Sequence, residues 1–214
     1  MAIRRQLARP RGVVGLLAGE VLAWQNREVN AWTLSLLGVG AESRMVEIGF
    51  GPGVGVRLAA ARARRGLVAG VDPSSMMVRR ARWRNRNAVR RGRVELRRGT
   101  VEALPWIDGT FAQAWSVNTF FEWPDQAAGL AEVARVLLPG GRLALTTQAR
   151  WAHGEGELKE ATREALDLLV GAGFHELDVK RHRMKPLSAV CLLGSKLALD
   201  PGDRVRRHRG RQLG

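Results

Sequence analysis

Short apolar, strand-prone runs alternate with helically spaced stretches through the middle of this chain, and no other feature limits its fold as much. The runs are Arg44–Gly49, Leu67–Val71, Arg93–Arg98, Phe111–Val117 and Gly141–Thr147. The helical stretches are Val54–Arg65, Ser74–Arg91, Asp125–Leu138 and Glu155–Val170. A strand followed by a helix rejoins its sheet in parallel, and such crossovers are right-handed, which puts helices on both faces of the sheet. Leu138-Pro139-Gly140-Gly141 is expected to stop one helix and turn into the next strand. Gly171-Ala172-Gly173 is expected to close another helix, whose first turn carries acids as the helix dipole favours. His175–Arg183 and Leu187–Lys196 follow one another with no helix between, so they should end the parallel sheet with an antiparallel, hairpin-like pair.

Where the first run meets the first helix, the sequence reads Val46-Glu47-Ile48-Gly49-Phe50-Gly51-Pro52-Gly53-Val54-Gly55. At this place in a parallel sheet the backbone approaches a nucleotide-type ligand closely, and glycine removes the β-carbons that would block it. Asp72 ends the next run, 21 residues after Gly51, where a carboxylate can accept hydrogen bonds from both hydroxyls of a ribose. Dinucleotide sites use G-x-G-x-x-G around a pyrophosphate. Here the glycines run G-x-G-x-G at 49, 51 and 53, and Val54 and Val56 stand where a third dinucleotide glycine would be. Glu47 would repel a pyrophosphate but suits an ammonium group. A ligand with a ribose, an ammonium and no phosphate satisfies both acids, and S-adenosylmethionine is such a ligand.

Glu47-Ile48-Gly49-Phe50-Gly51-Pro52-Gly53 resembles the first motif of class I S-adenosylmethionine-dependent methyltransferases, and Val71-Asp72-Pro73-Ser74-Ser75-Met76-Met77 with Ala81 resembles their second. Thr100-Val101-Glu102-Ala103-Leu104-Pro105-Trp106, with Asp108 and Phe111, is similar to the stretch that borders adenine. Glu132-Val133-Ala134-Arg135-Val136-Leu137-Leu138-Pro139-Gly140-Gly141-Arg142 is similar to the helix, turn and strand beyond the active site. The resemblance covers residues 44–148 and is nearest to the small-molecule group that includes the ubiquinone/menaquinone C-methyltransferases. It implies a Rossmann-like α/β fold: a seven-stranded, mostly parallel sheet with an antiparallel C-terminal strand and helices on both faces. It also implies S-adenosyl-L-methionine as cofactor and a small-molecule methyl acceptor. By the same resemblance, Glu47 with Gly49, Gly51 and Gly53 holds the methionine end, and Asp72 takes the ribose hydroxyls. Pro73 and Met77 would pack near the adenine, and Thr100, Val101 and Glu102 would meet its edge mainly by backbone. Asn118, just past the fourth strand, would sit beside the sulfonium. Two positions depart from the family: Thr100 replaces the usual acid or amide, and Phe111-Ala112 the usual Phe-Asp.

Methyl transfer from a sulfonium is an in-line displacement with a good leaving group. Alignment therefore matters most, and a base is needed only where the nucleophile must lose a proton. His153, in the loop Arg150-Trp151-Ala152-His153-Gly154 after the fifth strand, is the candidate base by position; the alternative is an exposed loop histidine. Glu122 is a second candidate, with a solvated loop carboxylate as its alternative. Phe121 and Trp123 beside it either line a substrate pocket or pack the sheet edge. No metal is expected. Methyltransferases acting on exocyclic or amide nitrogen often carry Asn/Asp-Pro-Pro-Tyr/Phe after the fourth strand. Asn118-Thr119-Phe120-Phe121 keeps the ends of that pattern and lacks both prolines, so base flipping is unsupported.

A chain of 214 residues, 45% hydrophobic, makes one domain with a substantial core. Its formal charge of +15 is uneven: from Arg57 to Arg98 there are 14 arginines against Asp72 and Glu95, whereas from Val101 to Asp178 there are 5 basic residues against 12 acids. Such asymmetry suits an anionic partner, which keeps an RNA or DNA methyltransferase as the alternative function. Lysine occurs only four times, so a codon-biased genome scattering arginine over solvated faces explains the same counts. Residues 1–38 are expected to form an N-terminal helical lid segment, 39–199 the cofactor-binding domain and 200–214 a basic disordered tail. Val14, Leu17, Val21 and Trp24, then Val29, Trp32 and Leu36, recur at roughly helical spacing, with Asn26 and Asn30 one turn apart. This segment would either close over the methyl end or simply cover a sheet face. The single cysteine, Cys191, lies in an apolar run and reads as a buried, inert thiol. With no membrane-length apolar stretch and no export signal, the expected location is the cytoplasm.

Overall fold

The computed structural model describes residues 27–148, 155–184 and 187–198. A helix over 27–36, α1, precedes β1 (Arg44–Ile48), α2 (Val54–Arg62), β2 (Leu67–Asp72), α3 (Ser75–Arg84), α4 (Arg86–Arg90) and β3 (Val94–Arg98). Then come β4 (Phe111–Val117), a 3-10 turn (Phe120–Glu122), α5 (Gln126–Val136), β5 (Leu137–Thr147), α6 (Glu155–Gly171), β6 (Phe174–His182) and β7 (Ala189–Lys196). The strands form one 7-stranded sheet in the order β3-β2-β1-β4-β5-β7-β6. All neighbours are parallel except β7, which runs antiparallel to both β5 and β6. The expected fold class is therefore the one observed.

Alternation along the buried strands sends successive side chains to opposite faces. Val46, Ile48, Ala114, Leu143 and Leu145 meet Leu130 and Val133 of α5 and Ala165 and Leu169 of α6 on one face. Met45, Trp115, Ala144 and Cys191 meet Val29 and Leu34 of α1, Val56 and Ala59 of α2, and Val78 and Ala81 of α3 on the other. The described part of the N-terminal segment is thus packed in the core, with Val29, Leu34 and Leu37 at most 1% exposed.

The largest departures from the expected bounds lie in three places. The helix expected over 54–65 ends at Arg62, where the Ala63 N–H still donates to the Ala59 carbonyl. The helix expected over 74–91 breaks at Asn85 (φ −104°, ψ 14°) into α3 and α4. The physical cause is the buried Asn85 amide, which donates to the carbonyls of Gly53 (3.1 Å) and Ala81 (2.9 Å) and so ties the helix to the loop before α2. Further on, α5 stops at Val136 and β5 already begins at Leu137. Pairing jumps from Phe111↔Leu137 to Gln113↔Arg142, so Leu138-Pro139-Gly140-Gly141 is a bulge within the strand, with Gly140 at φ +75°.

Candidate cofactor and acceptor site

Parallel strands β1, β2 and β4 end on the same side of the sheet, and the loop from Gly49 to Gly53 rises between β1 and α2. Gly49, Gly51 and Gly53 all have positive φ (74°, 51° and 79°), where any β-carbon is strained. Their surroundings differ. A β-carbon on Gly49 would meet the Thr119 side chain at 2.6 Å, and one on Gly53 would meet Ala81 at 2.7 Å. One on Gly51 would meet nothing within 4 Å among the described residues. Gly49 and Gly53 are packed against protein, and Gly51 faces open space.

Asp72, at the tip of β2, holds this loop. Its carboxylate accepts from the Gly51 N–H (2.8 Å) and the Ser74 N–H (2.9 Å), and the Ser74 hydroxyl caps α3 by accepting from the Met77 N–H (3.4 Å). Burial raises the Asp72 carboxyl from the usual range, with those two amides pulling the other way. Glu47 lies beneath the loop, 3% exposed, beside Asn30 of α1 and Gly55 of α2, where a β-carbon would overlap both side chains. Burial pushes its carboxyl well above the usual range; the Trp115 indole, the Val56 amide and, least, the Asp72 charge are the smaller influences. The indole N–H faces Glu47 without completing a hydrogen bond of ordinary geometry, and Oε2 of Glu47 has no partner among the described residues. An orphaned buried carboxylate oxygen at the end of the strand that leads into the loop with the open Gly51, with a second carboxylate at the neighbouring strand tip, fits a ligand that carries an ammonium and a ribose.

The other residues singled out in the sequence lie around this cradle. Pro73 is exposed, and its carbonyl accepts from Arg98 Nε (3.2 Å). Met77 is half-buried in the first turn of α3, and Thr100 is exposed after β3. Val101 turns its side chain into the core against Gly129, and Glu102 accepts from the Asp125 N–H (3.4 Å). Asn118 adopts φ +60° at the tip of β4; its Oδ1 accepts from the Gln148 N–H (2.7 Å), and its Nδ2 donates to Gln148 Oε1 (3.4 Å). Phe121 is half-buried and Glu122 exposed, whereas Trp123 is buried beside Gly129, with its indole N–H 3.4 Å from Thr119 Oγ1. His153, Trp24 and Asn26 lie outside the described residues.

Several residues that support the site were not picked out from the sequence. The Thr119 hydroxyl donates to the Ile48 carbonyl (3.2 Å) and lies 2.6 Å from Ser116 Oγ, fixing the side chain that fills the space left by Gly49. Its signal was the glycine itself, since a missing β-carbon implies a neighbour in its place. Gln148 and Asn85 gave no comparable signal. On α1, the Thr33 hydroxyl donates to Val29 O (2.8 Å) and sits 2.8 Å from the Thr146 hydroxyl near the end of β5. Trp32, already marked by its helical spacing in the sequence, stacks on His182 at 5.2 Å, at the end of β6.

A doubly covered sheet with a glycine cradle and an acid at the next strand tip defines a Rossmann-like nucleotide-binding enzyme. Residues 46–145 match the family described as a methyltransferase domain. Over 184 residues the chain is 32% identical to the uncharacterized methyltransferase YdaC of Bacillus subtilis (strain 168), covering 86% of this chain and 99% of that protein. It is 34% identical over 111 residues to the 27-O-demethylrifamycin SV methyltransferase of Amycolatopsis mediterranei (strain S699), covering 51% of this chain and 40% of that one. The solved structure of geranyl diphosphate methyltransferase in complex with SAM shares the fold at TM-score 0.67 and 17% identity, over 91% of this chain and 95% of that one. The chain belongs to the class I S-adenosylmethionine-dependent methyltransferases, with S-adenosylmethionine as its cofactor. Among the described residues no helix is long and apolar enough to cross a membrane.

Proposed function

We propose that this enzyme transfers the methyl group to a small organic acceptor. The observation that carries the proposal is the engagement of Asn118: both ends of its amide are bonded to Gln148, which ties the tips of β4 and β5 together. Held at both ends by Gln148, this amide has its orientation fixed within the protein rather than left to follow the edge of an extruded base. The rifamycin methyltransferase, a relative over half the chain, carries a small-molecule acceptor in its name.

S-adenosylmethionine, when bound, supplies a methyl group on a sulfonium whose departing thioether needs no proton. The chain's own work is to bind, align and exclude water. Asp72 would accept the ribose hydroxyls with the lone pairs left after Gly51 and Ser74, and Glu47 would be the countercharge to the ammonium, directly or through water. Pro73, Met77 and the backbone of Thr100, Val101 and Glu102 would border the adenine. Asn118 would stand beside the sulfonium, where its left-handed turn brings backbone close. Phe121 would face the acceptor, supported through Phe120, which packs edge-on against both Phe121 and Trp123 at 5.1 Å. His153 would take a proton from acceptors that carry one. A cytoplasmic setting belongs to the same reading, since the one cysteine is buried and free.

The test is to incubate the full chain with cofactor tritiated in the methyl group and, separately, with RNA, with DNA and with a set of phenols, hydroquinones and amines. Label is expected in an organic-extractable small product, and Asp72→Asn should lower that transfer by raising KM for the cofactor. Label in RNA or DNA would overturn the small-molecule assignment. Unchanged KM for the cofactor in Asp72→Asn would remove Asp72 from the ribose.

A further inference from the structure

The exposed face of α3 and α4 carries charge that the methyltransferase site does not use. Arg79, Arg82, Trp83, Arg86 and Arg90 succeed one another along these helices at close to helical spacing. That spacing gathers them on one side, which continues across the break at Asn85. Trp83 is 70% exposed, and the Arg86 guanidinium lies over its ring, 5.4 Å from the centroid. Beside this stripe is a concavity of about 330 Å³ whose charged lining, among the described residues, is Arg57, Arg84, Arg86 and Arg93, without an acid.

The two acids in the sequence from Arg57 to Arg98 do not neutralise this surface. Asp72 is spent on the Gly51 and Ser74 amides, and Glu95 pairs with Arg97 and accepts from the Trp106 indole (3.3 Å). Two of the lining arginines are held in place by backbone: Arg84 donates to Pro52 O (2.9 Å) and Arg93 to Ala60 O (3.1 Å). Arg57 and Arg86 are exposed at the rim. A concave, positively lined site next to an exposed aromatic ring combines the two elements that bind a single-stranded nucleic acid: fixed cations for the phosphates and a flat face on which a base stacks.

We infer that the α3–α4 face with its arginine-lined concavity is a binding surface for single-stranded nucleic acid, separate from the site of methyl transfer. An anionic membrane is the less suitable partner. A helix lying in a membrane interface buries an apolar face in lipid, and here Val78 and Ala81 of α3 are committed to the core and Met76 and Met77 are half-buried, leaving Trp83 as the large exposed apolar side chain of that helix. The concavity backs onto the protein-packed Pro52–Gly53 side of the cofactor loop, through Arg84 to Pro52 O and Asn85 to Gly53 O, so the surface anchors a nucleic acid without presenting a base to the methyl group.

The experiment is fluorescence anisotropy of a labelled 12-nucleotide RNA with the full chain, over a range of salt concentrations. Residues 204–211 hold five more arginines, so the differences between variants carry the test. Trp83→Ala should weaken binding at least about fivefold with the salt slope nearly unchanged, and Trp83→Phe should restore most of the loss. Arg57→Ala with Arg86→Ala should reduce the log–log salt slope by about 1.4, the release expected for two single-strand phosphates. Calorimetric affinity for S-adenosylhomocysteine, unchanged in all these variants, shows that the fold and the cofactor site are intact. Equal RNA affinity and slope in every variant would overturn the inference by assigning the binding to other arginines. Displacement of the RNA by vesicles of phosphatidylcholine and phosphatidylserine at equal anionic charge would overturn it in favour of a membrane surface. Because none of these readouts involves methyl transfer, they stand or fall apart from the identity of the acceptor.

Discussion

Alanine at Gly53 and alanine at Gly51 introduce the same methyl group two residues apart, into surroundings that differ completely. Both positions have positive φ (79° and 51°), so each substitution carries the left-handed penalty of about 1–2 kcal/mol. At Gly53 the new β-carbon also lies 2.7 Å from Ala81 Cβ, 2.8 Å from Asn85 Nδ2 and 2.9 Å from Ala81 Cα. Two of those atoms belong to a short side chain and a helix backbone that cannot swing aside, and overpacking of this kind adds about 1–3 kcal/mol. Gly53→Ala should therefore destabilise the fold by about 2–5 kcal/mol. Gly51→Ala should lose only the conformational part, because no described residue lies within 4 Å of its β-carbon. Binding should respond in the opposite order. If the open side of Gly51 is where the cofactor's methionine end lies, a methyl group there obstructs it directly. Affinity for S-adenosylhomocysteine should then fall at least about a hundredfold, which corresponds to about 2.7 kcal/mol of binding free energy. Urea unfolding read by fluorescence gives the first quantity and calorimetric titration of the folded variants the second. A Gly51→Ala protein as unstable as Gly53→Ala, yet binding normally, would refute both the geometric ranking and the placement of the cofactor.

Glu47→Gln should stabilise the ligand-free protein at pH 8 relative to the parent and leave it nearly unchanged near pH 4. The buried carboxyl keeps its proton where the unfolded one, with a pKa of about 4.3, has released it, so the parent loses stability as pH rises from there through the folded value, and the glutamine removes that slope. Urea midpoints across this range measure it, and parallel pH profiles for the two proteins would contradict the burial argument. Cys191 should not react with a thiol-specific disulfide reagent at pH 8 until the chain is unfolded, because burial is the leading cause that pushes its thiol up to about 11; rapid labelling of the native protein would show that β7 opens. Leu34→Ala, at a fully buried position of α1, should lower stability by about 2–5 kcal/mol in the same urea assay, and a change below about 0.5 kcal/mol would mean that α1 is not part of the cooperative core.

Sequence periodicity and glycine spacing are local properties, and they disclosed what local properties control. The runs at 67–71, 93–98 and 111–117 became strands with bounds shifted by at most one residue, because apolar runs between turn residues have few other places to go. Glu47, Gly49, Gly51, Gly53 and Asp72 came together because one strand with its loop and one neighbouring strand tip carry all five. The bounds that moved were controlled by partners far away in the chain. Asn85 breaks a helix by reaching the Gly53 carbonyl, 32 residues earlier, and no proline or glycine marks the place. Pro139 and Gly140 read as a turn between elements, but Phe111 pairs with Leu137 ahead of them, so the strand starts early and accommodates the punctuation as a bulge. Thr119 and Gln148 escaped notice for the same reason: each matters through a group it meets across strand tips, Ile48 in one case and Asn118 in the other.

Helix α1 shows why an amphipathic pattern alone left two roles open for the N-terminal segment. Val29 and Leu34 satisfy the pattern and bury themselves over the sheet, as any covering helix would. The polar residues between them are what tie the helix to the working end of the sheet. Asn30 is buried beside Glu47, Thr33 meets Thr146 near the tip of β5, and Trp32 stacks on His182 at the tip of β6. One rigid element therefore touches the acid beneath the cofactor loop and the strand tips on the other side of β4. A shift of α1 large enough to reshape those strand tips would also disturb the surroundings of Glu47, a buried carboxylate with an oxygen that has no partner among the described residues. Packing at this density transmits such shifts rather than absorbing them. In the described part of the segment, covering the core and bordering the site are two consequences of one placement.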